Sequence, residues 1–475
     1  MEDAKKVFHF FEEISRIPRE SGDEKAICEY LVAFAKERGL EVYSDEHWNV
    51  IIKKPSTIPN CACSPVIIQG HTDMVYVREE SCKRAYEDGI GLIYKDGWIT
   101  ADGTTLGADD GLAVAFALAL LDGKEILHPD IEAVFTSSEE VGLVGAGYLD
   151  YSRLKGKYML NIDTEDEGTF YTSCAGAFRN EIKIPITRET VEGLYPLKVK
   201  IGGLVGGHSG MEINEGRGNA ITLMARVLSM LGSDAHLSSL EAIGKTNAIC
   251  NNATAELFVE EDKLQSVQAR IREMESDFIR ELGTRDTLTI GLTVGEKQSA
   301  SCYDEQSRKR AVSALTLLPC GVMAMSFDVP NLVETSSNPG LINKYENELS
   351  VISTSRSSVG SRKKEMRERY ASVAALSGGE SVCSADYPQW EYKAKSPLRE
   401  VAMSAYEELY HEKAKTCAIH AGLECGYFDE KLDGVDIISY GPIMQDVHTP
   451  RERTNIASIE RTWTLTQSIL EKLAK

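Results

Sequence analysis

Residues 69–74 read Gln-Gly-His71-Thr-Asp73-Met, directly after the apolar run Val66-Ile67-Ile68. Side chains alternate along an extended chain, so His71 and Asp73 share one side of it. His71 can then bind a metal ion through one ring nitrogen while Asp73 fixes the ring, a partnership usual for metal-bound histidines. Gly107-Ala108-Asp109-Asp110-Gly111 sets two carboxylates between glycines at the start of the strongly helical run 112–121. Alone, that motif also suits a helix cap with a first-turn acid. Thr136-Ser-Ser-Glu139-Glu140-Val-Gly142 follows the strand-like stretch 131–135. Adjacent glutamates repel each other unless a cation sits between them. Asn161-Ile162-Asp163 ends the apolar stretch 158–160, and Gly441-Pro442 to His448-Thr-Pro450 follows the stretch 436–440. Each motif taken singly reads as structural. Each also closes a candidate strand, and together they point to one site.

Ligands in open α/β sheets gather at the carboxyl ends of the strands. That rule collects His71, Asp109, Glu140, Asp163 and His448, with Asp73 and Glu139 left over. Two imidazoles and three carboxylates suit zinc or manganese, and they exceed what one catalytic zinc with an open position needs. Sharing one carboxylate between two ions gives each ion three protein ligands and leaves a position for water. Two cations roughly 3.5–4 Å apart lower the pKa of such a water and polarise a carbonyl. A spare carboxylate beside the water acts as general base, and Glu139 is the candidate because its neighbour Glu140 is taken up as a ligand.

These motifs together resemble the two-zinc aminoacylase/carboxypeptidase superfamily of metallopeptidases. Gly206-Gly-His208-Ser-Gly210, Gly216-Arg-Gly-Asn219, Leu332-Val-Glu-Thr-Ser336, Ser355-Arg356-Ser-Ser358 and His420-Ala-Gly-Leu-Glu424-Cys-Gly426 are similar to the aminoacyl-histidine dipeptidase branch. The resemblance spans nearly the whole chain. It implies that Asp109 bridges two metal ions, that His71 and Asp163 complete one site, and that Glu140 and His448 complete the other. It further implies that Asp73 orients and tunes, that Glu139 is the base, that His208 polarises the substrate carbonyl and that Arg356 holds the substrate carboxylate. Glu424 could bind a substrate amino group or serve the fold. The implied activity is metal-dependent hydrolysis of dipeptides, of the Xaa-His type such as carnosine or with broad specificity. The implied cofactors are two divalent ions per chain, zinc with manganese or cobalt as alternatives. A homodimer is implied as well. Two positions depart from the family pattern. Asp110 stands where an Asn usually follows the bridging Asp, and Asn247-Ala-Ile-Cys-Asn251 lacks the arginine that the family carries in that segment. Two other functions are carried alongside: an N-acyl amino acid deacylase of the same superfamily, and an inactive binding or assembly protein on this fold.

The elements that must position these groups can be read from the same sequence. The chain has 475 residues, enough for two or three domains, and 42% of them are hydrophobic, enough for a substantial core. A net charge of −21 argues against nucleic acid or anionic membrane as a partner. Eleven scattered cysteines without a Cys-x-x-Cys suggest reduced thiols and a cytoplasmic enzyme. The first residues lead into an amphipathic segment, with no signal core expected. Helices are expected at 3–17, at about 112–121, 397–411 and 455–473, and from a capping box at Ser21-Gly-Asp-Glu24 to a stop at Gly39. Strands are expected near 49–54, 65–70, 131–136, 158–162 and 436–440. This alternation predicts an α/β fold: a mostly parallel sheet with helices on both faces, like that of two-zinc exopeptidases. From about 178 the strands alternate polar and apolar residues, as half-buried antiparallel strands do. The predicted organisation is therefore a catalytic metal-binding domain in two parts, 1–178 and 391–475. An inserted α+β lid and dimerisation domain spans 179–390.

Overall fold

The computed structural model describes residues 3–475. They divide into two compact units: residues up to Cys174 together with Tyr387–Lys475, and Ala175–Asp386.

The first unit is built on an eight-stranded sheet. Its order is Glu41–Ser44, Val50–Lys54, Ile131–Thr136, Val66–His71, Tyr158–Asn161, Asp436–Ser439, Thr169–Cys174 and Lys415–Ile419. The central strands Ile131–Thr136, Val66–His71, Tyr158–Asn161 and Asp436–Ser439 run parallel. The sheet as a whole is mixed, because Glu41–Ser44 and Val50–Lys54 join one side antiparallel and Thr169–Cys174 reverses on the other. Alternation along the strands decides which side chains face which layer. Val66, Ile68, Ala133, Phe135 and Leu160 pack with the helices Lys5–Ser15, Lys25–Glu37, Ala108–Asp122, Pro397–Tyr410 and Ile456–Ala474. Ile67, Val134, Met159 and Ile437 face the other way, onto Trp390, Leu423 and Phe428. Helix Ala108–Asp122 is buried on every side from Gly111 to Leu121, as a helix inside the core must be.

The second unit has two five-stranded sheets. One orders His236–Glu241, Ala253–Val259, Arg188–Gly202 and Thr289–Val294, with Gln298–Tyr303 also on Arg188–Gly202. The other orders Gly321–Met325, Val333–Lys344, Glu348–Ser357, Gly176–Pro185 and Glu380–Tyr387. Their registers are antiparallel, as the alternating sequence predicts. Helices Ala220–Leu231, Glu261–Leu282, Glu305–Leu317 and Gly360–Ser377 contribute to one continuous core with these sheets.

Candidate metal centre

Four parallel strands end at the same edge of the first unit's sheet, and four of the five predicted motifs follow them; the fifth, with Asp109, closes no strand of this sheet and opens helix Ala108–Asp122 instead. His71 is the last residue of its strand and is almost wholly buried. Its Nε2 lies 3.2 Å from Asp109 Oδ1 and 3.6 Å from Asp163 Oδ1. The other Asp109 oxygen, Oδ2, lies 3.1 Å from His448 Nε2, which is 2.6 Å from Glu140 Oε1. Asp109 thus offers one oxygen to each histidine. Ligand atoms of His71, Asp109 and Glu140 lie within 4.8 Å of one another, as do those of His71, Asp110 and Asp163. His448 reaches this point from a loop closed by the pairing of Met444–Gln445 with Arg453–Asn455. The loop carries left-handed backbone at Asp446 and at His448 (φ +61°), a conformation uncommon outside glycine and one that Asp and His adopt more readily than most residues.

The electrostatics follow from packing so many acids together. Burial opposes charge on His71, but hydrogen bonds to Asp109, Asp163 and Asp73 outweigh it and hold the ring protonated well above its usual range. His448 is pushed up to about 11 by its bonds to Asp109 and Glu140. Burial raises Asp163 to about 6. At Asp109 burial is overcome by the two histidines, which keep its carboxylate ionised far below the usual range. Glu139 is raised well above its ordinary value, first by burial and then by the neighbouring Asp163, Glu140 and Glu424.

Asp73 organises this edge. It is fully buried, and its Oδ1 lies 3.3 Å from His71 Nδ1 and accepts the Glu139 N–H at 2.9 Å. Its Oδ2 accepts the Glu140 N–H at 3.2 Å and the Ser21 hydroxyl at 2.7 Å. Burial opposes its ionisation, but these bonds win and lower its pKa. The expected capping box at Ser21-Gly-Asp-Glu24 is absent. Helix Lys25–Glu37 has no side-chain cap at Glu24. Ser21 serves Asp73, and the buried Glu24 accepts the Ser138 N–H and hydroxyl at 2.9 and 2.8 Å. The loop with the paired glutamates is therefore held by two carboxylates, from Glu24 and Asp73.

Glu424 lies fully buried beneath the centre. Its Oε2 accepts bonds from Gln69 Nε2 and Thr136 Oγ1, both at 2.5 Å, and Gln69 Oε1 accepts from Asn161 Nδ2 at 2.6 Å. Burial pushes the Glu424 carboxyl up to about 7. Gln69, Thr136 and Asn161 form a polar row across three neighbouring strands, one step below the sheet edge.

Peptidase family M20/M25/M40 matches residues 67–472 by its sequence profile. The chain belongs to that family. This M20 peptidase is 32% identical to the cytosol non-specific dipeptidase of Escherichia coli (strain K12) over 471 residues, 98% of this chain and 97% of that one. The crystal structure of aminoacylhistidine dipeptidase from Vibrio alginolyticus matches it with a TM-score of 0.90 at 34% identity, over 99% of this chain and 98% of the other. Aminopeptidase PepT from Bacillus cereus ATCC 10987 shares the fold, with a TM-score of 0.57 at 18% identity over 100% and 99% of the two chains.

Two predicted site residues of this M20 peptidase belong to the second unit. The His208 Nδ1 accepts the N–H groups of Gly210 and Met211 at 3.3 and 3.0 Å, which leaves the ring proton on Nε2. Burial, and then the nearby Arg356 charge, lower its pKa, so the ring is a neutral donor. The His208 loop pairs with the 247–251 segment through Ser209 N–H to Asn247 and Ile249 N–H to Gly207. Arg356 lies near the end of strand Glu348–Ser357 and is 6% exposed.

Sequence reading missed Arg19, Glu24 and Glu452. Arg19 is fully buried and donates to the carbonyls of Thr72, Asp73 and Gly107. A Cβ at Gly107 or Gly111 would fall 2.6 or 2.5 Å from Arg19 Nη2. The two glycines around Asp109-Asp110 therefore leave room for this guanidinium, and they were its one visible trace in the sequence.

Proposed function

We propose that this M20 peptidase hydrolyses dipeptides with free amino and carboxyl ends, of the aminoacyl-histidine type such as carnosine or with broad side-chain tolerance. Two divalent ions per chain serve the reaction: zinc, with manganese or cobalt as substitutes. The observation that carries this reading is the pair of oppositely directed contacts of Asp109, Oδ1 to His71 and Oδ2 to His448. The names of the Escherichia coli and Vibrio alginolyticus relatives, which match nearly end to end, support dipeptides as the substrate class. The donor chemistry fits such ions, since imidazole nitrogens and carboxylate oxygens converge from five separate segments of the chain.

His71, Asp109 and Asp163 would hold one ion, and Glu140, Asp109 and His448 the other. When bound, such a pair lowers the pKa of a shared water and polarises a carbonyl. Glu139 takes the proton of the attacking water and returns it to the leaving amine, a task suited to a half-buried carboxyl with a raised pKa. Asp73 orients the His71 ring and fixes the backbone of Glu139 and Glu140. His208 presents its Nε2–H to the carbonyl oxygen as charge develops there. The histidine comes from the same chain or from the second subunit of an isologous homodimer. Arg356 pairs with the substrate carboxylate, for which guanidinium geometry is suited. Glu424 is covered, so its direct work is to hold Gln69 and Thr136; it meets a substrate ammonium only once that cover opens. Eleven unpaired cysteines and the cytosol dipeptidase relative support a cytoplasmic location. No helix among the described residues is long and apolar enough to cross a membrane.

Rates on a dipeptide and on its N-acetylated form, with zinc, manganese or cobalt supplied, test the reading. Turnover of the free dipeptide supports it. A preference for the acetylated form overturns it in favour of an N-acyl amino acid deacylase.

A further inference from the structure

Two buried charged side chains meet the backbone of the ligand-bearing segments without touching the ligand side chains. Glu452 is 2% exposed. Its Oε2 accepts the N–H groups of Leu106 and Gly107 at 2.8 and 3.0 Å. Its Oε1 accepts those of Ala108 and Asp109 at 2.8 and 3.4 Å. Arg19, also 2% exposed, takes the Gly107 carbonyl at 2.5 Å from the other side, together with the carbonyls of Thr72 and Asp73 at 3.0 and 3.2 Å. One carboxylate and one guanidinium thus hold four N–H groups and one C=O group of the 106–109 segment.

That segment needs outside support. Asp109 (φ −83°, ψ 110°) and Asp110 (φ −110°, ψ 32°) are not helical, so the helix that follows does not fix them by its own hydrogen bonds. The four N–H groups at the segment also have no local side-chain cap, since Gly107 precedes the helix and offers none. Glu452 supplies the acceptors from 343 to 346 residues away in sequence. It lies four residues after His448, in the same loop. Arg19 ties the segment to the residues that follow His71. All three stretches 71–73, 107–109 and 448–452 are joined by these two side chains.

We infer that Glu452 and Arg19 are positioning residues that preset Asp109, with one oxygen toward each histidine, before any metal ion enters. The inference rests on the two-ion reading of the site given above. A bridging carboxylate must meet two demands at once, so a small pivot of its backbone weakens both. Groups that orient a ligand from behind typically contribute 10- to 100-fold in metal affinity.

The test uses Glu452→Gln and Arg19→Lys in the full chain, stripped of metal and titrated with Zn²⁺ against a chromophoric chelator. Gln keeps the shape of Glu452 but turns an –NH₂ group toward two N–H donors. Lys keeps the charge of Arg19 but loses the fork. Circular dichroism of the metal-free proteins checks folding, and the visible spectrum of the Co²⁺-loaded proteins reports the ligand field. The expected result is a folded variant whose Zn²⁺ affinity is weaker by about 10- to 100-fold, with an altered Co²⁺ spectrum. Unchanged affinity and spectrum in a folded variant overturn the inference while leaving the site reading intact. If Glu452→Gln does not fold, Arg19→Lys decides by the same readings. If neither folds, the pair serves the fold and the inference fails. Wild-type protein that takes up no Zn²⁺ refutes the two-ion site itself, and the inference with it.

Discussion

Asp73→Asn is the substitution whose effect the structure specifies most closely. The carboxylate spends both oxygens: Oδ1 on His71 and the Glu139 N–H, Oδ2 on Ser21 and the Glu140 N–H. An amide of the same shape has one oxygen. Whichever way it turns, its –NH₂ faces a backbone N–H that then has no acceptor, and the negative charge is gone. A hydrogen bond to a charged group contributes roughly 1.5–3 kcal/mol, and an orphaned buried donor costs roughly 1–3 kcal/mol. The lower ends add to about 2.5 kcal/mol. With about 1.36 kcal/mol per factor of ten, kcat/KM on a dipeptide should fall by about 70-fold or more. Ser21→Ala serves as the graded control. It removes one hydrogen bond to the carboxylate, about 1.5 kcal/mol at the same lower end, and leaves no donor without an acceptor, so it should cost only about 13-fold. The assay is steady-state hydrolysis by metal-reconstituted protein, with metal content and melting temperature measured on the same samples. An Asp73→Asn enzyme with wild-type kcat/KM would refute the reasoning. So would a Ser21→Ala enzyme as impaired as Asp73→Asn.

Glu139→Gln should lower kcat by about 10²–10⁴ with both ions retained, the usual weight of general acid–base catalysis, whereas Glu140→Gln should lose or weaken one ion by elemental analysis. Swapped phenotypes would reverse the two assignments. His208→Ala should lower kcat by about 10²–10³ with little change in metal content. Mixing it with Glu139→Gln chains should restore activity if the histidine acts across a dimer, and a fully active His208→Ala protein would remove the residue from the reaction. The metal-free protein holds protons on His71 and His448 above their usual range. Both must leave before the rings can ligate, so metal uptake near pH 7 should release protons and tighten as pH rises. The same raised values mean that the stability His448 gains from Asp109 and Glu140 is complete below its unfolded pKa of about 6.5, and is lost as pH rises toward about 11. Calorimetry in buffers of different ionisation enthalpy, and melting of the metal-free protein at pH 6 and 9, check both signs. Uptake without proton release would contradict them.

The sheet edge was legible because four of the five motifs follow a short apolar run; the fifth, with Asp109, instead opens helix Ala108–Asp122. The strands Val66–His71, Ile131–Thr136, Tyr158–Asn161 and Asp436–Ser439 lie within two residues of where their hydrophobic patterns place them. Other elements left no such signal. Helix Gly360–Ser377 buries Met366, Tyr370 and Val373 at helical spacing, but its many charges mask the stripe. Strand Val333–Lys344 buries Thr335, Ser336, Ser337 and Asn338 and carries a bulge near Pro339, so neither β propensity nor alternation marks it. The supports of the centre were hidden for a different reason. Glu24 has the sequence of a helix cap and instead holds Ser138, more than a hundred residues away. Arg19 and Glu452 act on backbone groups from distant parts of the chain, and a sequence pattern records side-chain types, not the carbonyls and N–H groups they will meet.

The most direct test of the account is to count metal ions against turnover in one preparation. Chelator-stripped protein is titrated with Zn²⁺ while bound metal and hydrolysis of a free dipeptide are followed together. The account predicts no activity without metal, a rise in activity as binding proceeds, and saturation at two ions per chain. Full activity in metal-free protein would contradict it.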